Sequence, residues 1–172
     1  MSTPFEHTTH QLGPILLRPL RPEHTALLAN AMSAMPPWSV IGFPAERMVR
    51  AFTRVLPSVF RFEIIAEDKP AGMVAIQNPF LHGPYLQVLA ILPEFQGRKF
   101  GWRILEWMEG EARQEQARQL WLCVSTFNTG AQRFYRRFGF QEAAMLDKLA
   151  SDGSDEILMR KRLSYEEKAI RP

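Results

Sequence analysis

Apolar residues in this chain fall into short continuous runs and into stretches with helical recurrence, and the two kinds alternate in the second half. Ile15, Leu16 and Leu17 predict a first strand, and Pro22 then opens a helix carrying Ala26, Leu27, Ala29 and Met32. The stretch from Met35 to Pro44 breaks regular structure, after which Met48, Val49, Phe52, Val55 and Leu56 recur as in a second helix. Residues 59–66 and 71–77 read as a strand pair around Glu67-Asp68-Lys69-Pro70, a turn by composition, and Asn78 to Pro84 reads as a connection. Leu86, Val88, Leu89, Ala90 and Ile91 make a nearly continuous run, as expected of a strand covered on both faces. Pro93 and Gly97 interrupt it, and Trp102, Ile104, Leu105, Met108 and Ala112 follow at helical spacing. Leu120 to Thr126 predicts another strand, Ala131 to Phe138 a short helix, and Ile157 to Leu163 a last strand. Residues 1–12 are polar and patternless and read as a loose tail, 13–163 as one domain, and 164–172 as a C-terminal tail. Strands that first adjoin and are later separated by helices imply a mixed α/β sheet covered on both faces.

Composition narrows the function classes. A chain of 172 residues, 46% hydrophobic and 23% charged, suits a single globular domain. Cys123 is the only cysteine, so neither an internal disulfide nor a cysteine-based zinc site is expected, and no metal is assigned. Its neighbours Trp121, Leu122 and Val124 make it a small core residue rather than a nucleophile. The start carries no basic segment followed by an apolar run, and no eighteen consecutive residues are apolar. No signal peptide, no membrane partner and a cytoplasmic location are therefore expected. The net charge is +3, yet residues 98–137 hold eight Arg or Lys against four Glu, so the excess sits there. An anionic partner beside these segments explains it, whereas nucleic acid is not expected without a basic stripe interleaved with aromatics.

Two segments carry chemistry. The first, Leu89 to Trp102, is a strand running into a glycine-containing turn that opens a helix, and first-turn N–H groups with the helix dipole favour an anion there. The second is Asn128-Thr129-Gly130-Ala131-Gln132-Arg133-Phe134-Tyr135-Arg136-Arg137-Phe138-Gly139-Phe140. Together they resemble the GNAT superfamily of acetyl-CoA-dependent N-acetyltransferases. Gln96, Gly97, Arg98, Lys99, Phe100 and Gly101 stand in the family's phosphate-turn pattern Gln/Arg-x-x-Gly-x-Gly/Ala, with Lys99 where its first glycine is expected. A lysine takes positive φ less readily than glycine, but its ammonium can reach phosphate. Asn128, Ala131, Phe134, Tyr135, Gly139 and Phe140 match the second pattern.

The resemblance implies a mixed, mostly antiparallel twisted sheet of about six to seven strands flanked by helices, with a splayed, bulged central strand. It implies transfer of an acetyl group from acetyl-CoA, the co-substrate, directly to a primary amine while both are bound. The bulge is expected near Leu89, Ala90 and Ile91, whose freed backbone groups would hold the pantetheine and the thioester oxygen. Gln96, Gly97, Arg98, Lys99, Phe100, Gly101 and Trp102 would bind the pyrophosphate, and Asn128 would cap its helix and bond the pantetheine. Tyr135 would protonate the departing thiolate, or simply pack against Phe134 and Phe138.

The base is less defined. The branch that acetylates ribosomal-protein N-termini carries a glutamate five residues before the motif asparagine, where this chain has Cys123. Gln87 cannot act as a base, which leaves Glu63 as the best carboxylate, although a solvent-facing strand residue is its plainer reading. A water chain held by backbone carbonyls is the alternative, and His82 lies in a Gly-Pro loop at the far end of the strand. Trp38 and Phe43 are expected to line the acceptor pocket, for a small-molecule or peptide amine, in a monomer or homodimer. Two rival readings stand beside this one. Lys99, Gln87 and Cys123 would suit a catalytically silent acyl-CoA-binding module, and Arg133, Arg136 and Arg137 a basic interaction protein.

Overall fold

A computed structural model of the chain describes residues 4–6 and 8–164. Strands β1 (His10–Leu12), β2 (Ile15–Pro19), β3 (Val59–Ala66), β4 (Lys69–Phe80), β5 (Gly83–Ile91), β6 (Gln119–Ser125), β7 (Gln141–Leu146) and β8 (Glu156–Arg162) form one open sheet. Their order is β1-β2-β3-β4-β5-β6-β8-β7. Every neighbouring pair is antiparallel except β5 and β6, which are joined by a crossover through a helix. The helices are α1 (Pro22–Ser33), α2 (Ala45–Thr53), α3 (Phe100–Gln114) and α4 (Thr129–Phe138).

Local chemistry accounts for the turns. Glu67 and Asp68 both hold positive φ, 51° and 58°, and close a two-residue hairpin in which Ala66 opposes Lys69. Strands β4 and β5 extend through residues 78–84, the expected connection, and close instead at Leu81 and His82. Helix α1 buries Thr25, Leu28, Ala29 and Met32, so its apolar face lies one residue away from the Ala26–Leu27 side, and Leu27 is exposed. Helix α2 ends at Thr53 and leaves Val55 in solvent.

The two faces of the sheet carry different helices. The Phe62 ring meets Trp107 of α3 edge-on at 5.3 Å, whereas the next residue, Glu63, bonds His24 of α1. Ile104, Leu105 and Met108 of α3 are fully buried, each contributing about 1.5–3 kcal/mol. The described part of the first twelve residues is not a loose tail, and residues 1–3 and 7 lie outside the described residues. Phe5 is fully buried against Trp107, and His10 to Leu12 pair with β2, since one aromatic in a polar stretch is enough to anchor it on the α3 face. Residue 164 is the last described, and the rest of the expected C-terminal tail lies outside the described residues.

The central strand carries the feature that matters for chemistry. Ala75 opposes Val88 and Ile76 opposes Leu86, leaving Gln87 as an extra residue in β5. The bulge thus falls at Leu86–Val88, not at Leu89–Ile91, where the ladder with β4 is regular. Gly72 permits that regularity, because a Cβ there would lie 2.0 Å from the Ala90 carbonyl oxygen. Strands β5 and β6 pair only at Tyr85–Trp121 and Leu86–Leu122 and diverge beyond them.

Candidate active site

Divergence of β5 from β6 leaves the β6-facing backbone groups of Val88 to Ile91 without ladder partners, and an extended ligand could complete them. The chain then makes a single 3-10 turn, Pro93–Phe95, and enters α3 through Gly97 (φ 76°) and Lys99 (φ 63°, ψ 16°). Lys99 adopts the left-handed conformation that glycine would take more easily, and its side chain gives the helix no cap. The amides of Phe100, Gly101 and Trp102 precede the first helical hydrogen bond, Arg103 N–H to Lys99 carbonyl at 3.2 Å, and remain available to an anion.

Side chains of this turn have separate duties. Gln96 Nε2 donates to the Ile91 carbonyl at 2.9 Å and ties the turn to the end of β5. Arg98 pairs with Glu67 at 2.5 Å, donates to the Glu94 carbonyl and lies over the Phe95 ring, so its charge is already shared. Phe100 is buried and can offer a ligand only its backbone. Trp102 donates Nε1–H to Glu106 at 2.9 Å and meets Phe138 edge-on at 4.9 Å.

Helix α4 sits against this turn. A Cβ on Gly101 would lie 3.2 Å from Phe134 Cζ and 3.8 Å from Leu89 Cδ2, so the missing side chain lets α3, α4 and β5 approach one another. Asn128 caps α4 by accepting from Ala131 N–H at 3.2 Å. Tyr135 packs against Phe134 (5.2 Å) and Phe140 (5.9 Å), and its hydroxyl makes no hydrogen bond among the described residues. Burial holds its phenol well above the usual tyrosine pKa, so it is a proton donor throughout the neutral range.

The opposite face holds a cavity of about 290 Å³, lined by Trp38 and Phe43 of the loop between α1 and α2, by α2, and by Arg61, Gln87 and Val88. Both expected pocket aromatics thus meet the bulge. Glu63 does not line this cavity, and its expected solvent exposure is wrong. It is fully buried, and its carboxylate accepts from Arg18, from Arg21 Nε at 2.9 Å and from His24 Nδ1 at 2.5 Å, so both oxygens are engaged and neither faces a substrate in the cavity. His82 lies in the β4–β5 hairpin, about 26 Å along β5 from Ile91. A second cavity, of about 250 Å³, lies beside His82 at that distant end. Cys123 is half-buried beside Tyr85, and burial pushes its thiol up, away from a reactive thiolate. Ser125 donates to Glu156 at 3.0 Å on the same strand pair.

Arg61 was not anticipated. The available signal was a charge inside the apolar run Val59-Phe60-Arg61-Phe62, on the alternation that also carries Glu63. Among the described residues no group of three or more His, Cys, Asp or Glu could hold a metal, and no helix is long and apolar enough to cross a membrane.

Comparison with known proteins agrees with this geometry. The model of a family described as the acetyltransferase (GNAT) family matches residues 28–140. An aminoalkylphosphonate N-acetyltransferase of Salmonella typhimurium is 32% identical over 92 residues, which cover 51% of this chain and 60% of that protein. The chain therefore matches about three-fifths of that relative's length. Among solved structures, the ribosomal-protein-S18-alanine N-acetyltransferase from Escherichia coli superposes with a TM-score of 0.71 at 21% identity, covering 92% of this chain and 99% of that one. The PaiA N-acetyltransferase from Thermoplasma acidophilum, in complex with coenzyme A, gives 0.66 at 19% identity over 87% and 99%. At these identities the two structures share the fold.

Proposed function

The chain belongs to the acetyltransferase (GNAT) family, and from that membership we propose that it transfers an acetyl group from acetyl-CoA to a primary amine by direct attack, with both substrates bound. The observation that carries this reading is the divergence of β5 from β6 beside the amide-lined turn at Gly97–Trp102. Backbone along Val88–Ile91 that has no ladder partner toward β6 suits a pantetheine arm added as a strand, and the amides of Phe100, Gly101 and Trp102 suit its pyrophosphate. Lys99, which makes no ion pair among the described residues, adds charge there.

In the proposed reaction the neutral amine nitrogen attacks the thioester carbon, a backbone N–H beside the bulge stabilises the oxyanion, and the C–S bond breaks on collapse. Tyr135 gives its proton to the departing thiolate, and the proton that the nitrogen sheds on collapse returns through water to the Tyr135 phenolate. An ammonium with a pKa near 10.4 must first lose a proton. Glu63 is buried and held by Arg18, Arg21 and His24, so that proton passes to water held by backbone carbonyls at the strand opening. The acceptor is a small-molecule amine, the class named for the Salmonella relative, and it enters from the face carrying Trp38 and Phe43.

An acceptor screen following acetyl-CoA-dependent thiol release tests this, run beside Tyr135→Phe. The variant is expected to lose about 100-fold or more in kcat with little change in coenzyme A affinity. Absence of turnover across a broad amine panel, with coenzyme A still bound, would leave a silent acyl-CoA-binding module. A phenylalanine variant at full rate would remove Tyr135 as the acid.

A further inference from the structure

The cavity beside the bulge holds more charge than acetyl transfer to a plain amine requires. Arg61 lines it from β3, between the buried Val59 and Phe62. Among the described residues its guanidinium makes one hydrogen bond, Nη1–H to the Arg54 carbonyl at 3.0 Å, and no carboxylate pairs with it. The nearest acid on that alternation, Glu63, is closed by Arg18, Arg21 and His24. Burial lowers the Arg61 pKa, the signature of a cation taken partly out of water without a counterion. Arg54 lines the same cavity, and among the described residues no Asp or Glu does.

A half-buried guanidinium with no acid beside it keeps most of its donors open, in a planar fork that matches carboxylate or phosphonate oxygens. Trp38 and Phe43 form apolar walls there, and excluding water strengthens an ion pair. In the sheet Arg61 opposes Ala75, which opposes Val88. Two strand spacings, about 10 Å, therefore separate the backbone of Arg61 from that of Val88 at the bulge. An arginine reaching into that gap leaves room for a short alkyl chain between its fork and the thioester position.

We propose that this cavity selects acceptor amines bearing an anionic group, a phosphonate or a carboxylate, held by Arg61 and Arg54 so that the amine points to the Gln87–Val88 bulge. This rests on the acetyl-transfer reading for its orientation. The selection itself is a property of the cavity and can be read separately.

The experiment compares kcat/KM for 2-aminoethylphosphonate, 3-aminopropanoate and propylamine in the wild-type protein and in Arg61→Gln, Arg61→Lys and Arg54→Gln. The anionic amines are expected to exceed propylamine by about 10-fold or more. That ratio should collapse by about 10- to 100-fold in Arg61→Gln, partly recover in Arg61→Lys, and fall by less in Arg54→Gln. The relative rates of the two anions distinguish phosphonate from carboxylate. Equal kcat/KM for all three amines in the wild type, or a ratio untouched by every variant, overturns the proposal. If no amine is turned over, calorimetric titration of ethylphosphonate and propanoate into the coenzyme A-saturated protein decides the matter. Binding of either anion that Arg61→Gln abolishes upholds the anion site while the transfer reading fails. No binding of either overturns the site as well. If Arg61→Gln does not fold, the wild-type preference and its response to Arg54→Gln decide for or against the site in the same way.

Discussion

Replacing Lys99 by glycine is expected to stabilise the fold and to weaken coenzyme A binding, two effects of opposite sign from one substitution. Lys99 sits at φ 63°, ψ 16° before α3, and that conformation costs a residue with a Cβ about 1–2 kcal/mol. Glycine removes the cost but adds about 0.4–1 kcal/mol of unfolded-chain freedom. Lys99 makes no ion pair or side-chain hydrogen bond among the described residues, so no folded-state contact is lost. The net gain is about 0.5–1 kcal/mol, or roughly 1–4 °C in the midpoint for a chain of this size. Coenzyme A loses an exposed ammonium worth up to about 1 kcal/mol, and affinity falls by as much as roughly fivefold. Thermal unfolding without ligand reads the first effect, and coenzyme A titration at low and moderate salt reads the second. The variant's salt dependence should also be shallower. Tighter coenzyme A binding would mean that the lysine obstructs the turn, and an unchanged or lower midpoint would mean that the strain is relieved elsewhere.

Three further outcomes follow from buried groups. Glu63→Gln leaves Arg18, Arg21 and His24 facing no buried carboxylate and should destabilise by about 3–5 kcal/mol in denaturant titration. Loss of the acidic limb of its pH–rate profile, measured where it stays folded, would instead make Glu63 the base. Burial raises the pKa of both Tyr85 and Tyr135, so above about pH 10 the native state keeps protons that the unfolded chain releases. Stability should then fall with rising pH by up to about 1.4 kcal/mol per unit for each tyrosine. Urea midpoints between pH 9 and 11 should fall less steeply when each tyrosine is replaced by phenylalanine, and an unaltered slope would contradict the assignment. Gly72→Ala puts a Cβ 2.0 Å from the Ala90 carbonyl oxygen, a backbone clash that no rotamer relieves. It should cost more than about 3 kcal/mol, and a loss below about 1 kcal/mol would show that β4 and β5 yield there.

Much of the fold was legible because its long elements obey one period. The runs at 59–66, 86–91 and 120–126 are strands, and the recurrences from Trp102 and Ala131 are helices. Strand β7 was not legible, since Gln141 to Met145 are exposed and show no alternation, and an edge strand is held by backbone pairing alone. Strand β1 has only three residues and depends on β2. The glycine-containing turn before α3 was readable by motif, and Lys99, standing where the motif expects a glycine, holds positive φ. Arg61 and Glu63 were not, because one alternation carries both charges and only the third dimension separates their fates. Arg18, Arg21 and His24 close on Glu63, and among the described residues no acid comes to Arg61.

The extra residue at Gln87 also changes the phase of β5. Before it, Leu86 opposes Ile76 on the side of α3, with Tyr85 turned the other way; after it, Leu89 points at Gly101 while Val88 and Ala90 turn toward the α1 side. Odd and even positions exchange sides at mid-strand. Leu89 therefore meets the turn before α3 and Val88 meets the cavity lined by Trp38 and Phe43 only because β5 carries one residue more than β4 across the bulge. Point substitutions along this strand alter a single contact. Pairing Gln87 regularly with Ala75 would exchange the two inventories wholesale, whereas deleting Gln87 would remove the bulge and leave Val88 and Leu89 on their present sides. Which side chains of β5 face α3 and which face the Trp38 cavity is set by one bulge rather than by the identity of any single residue.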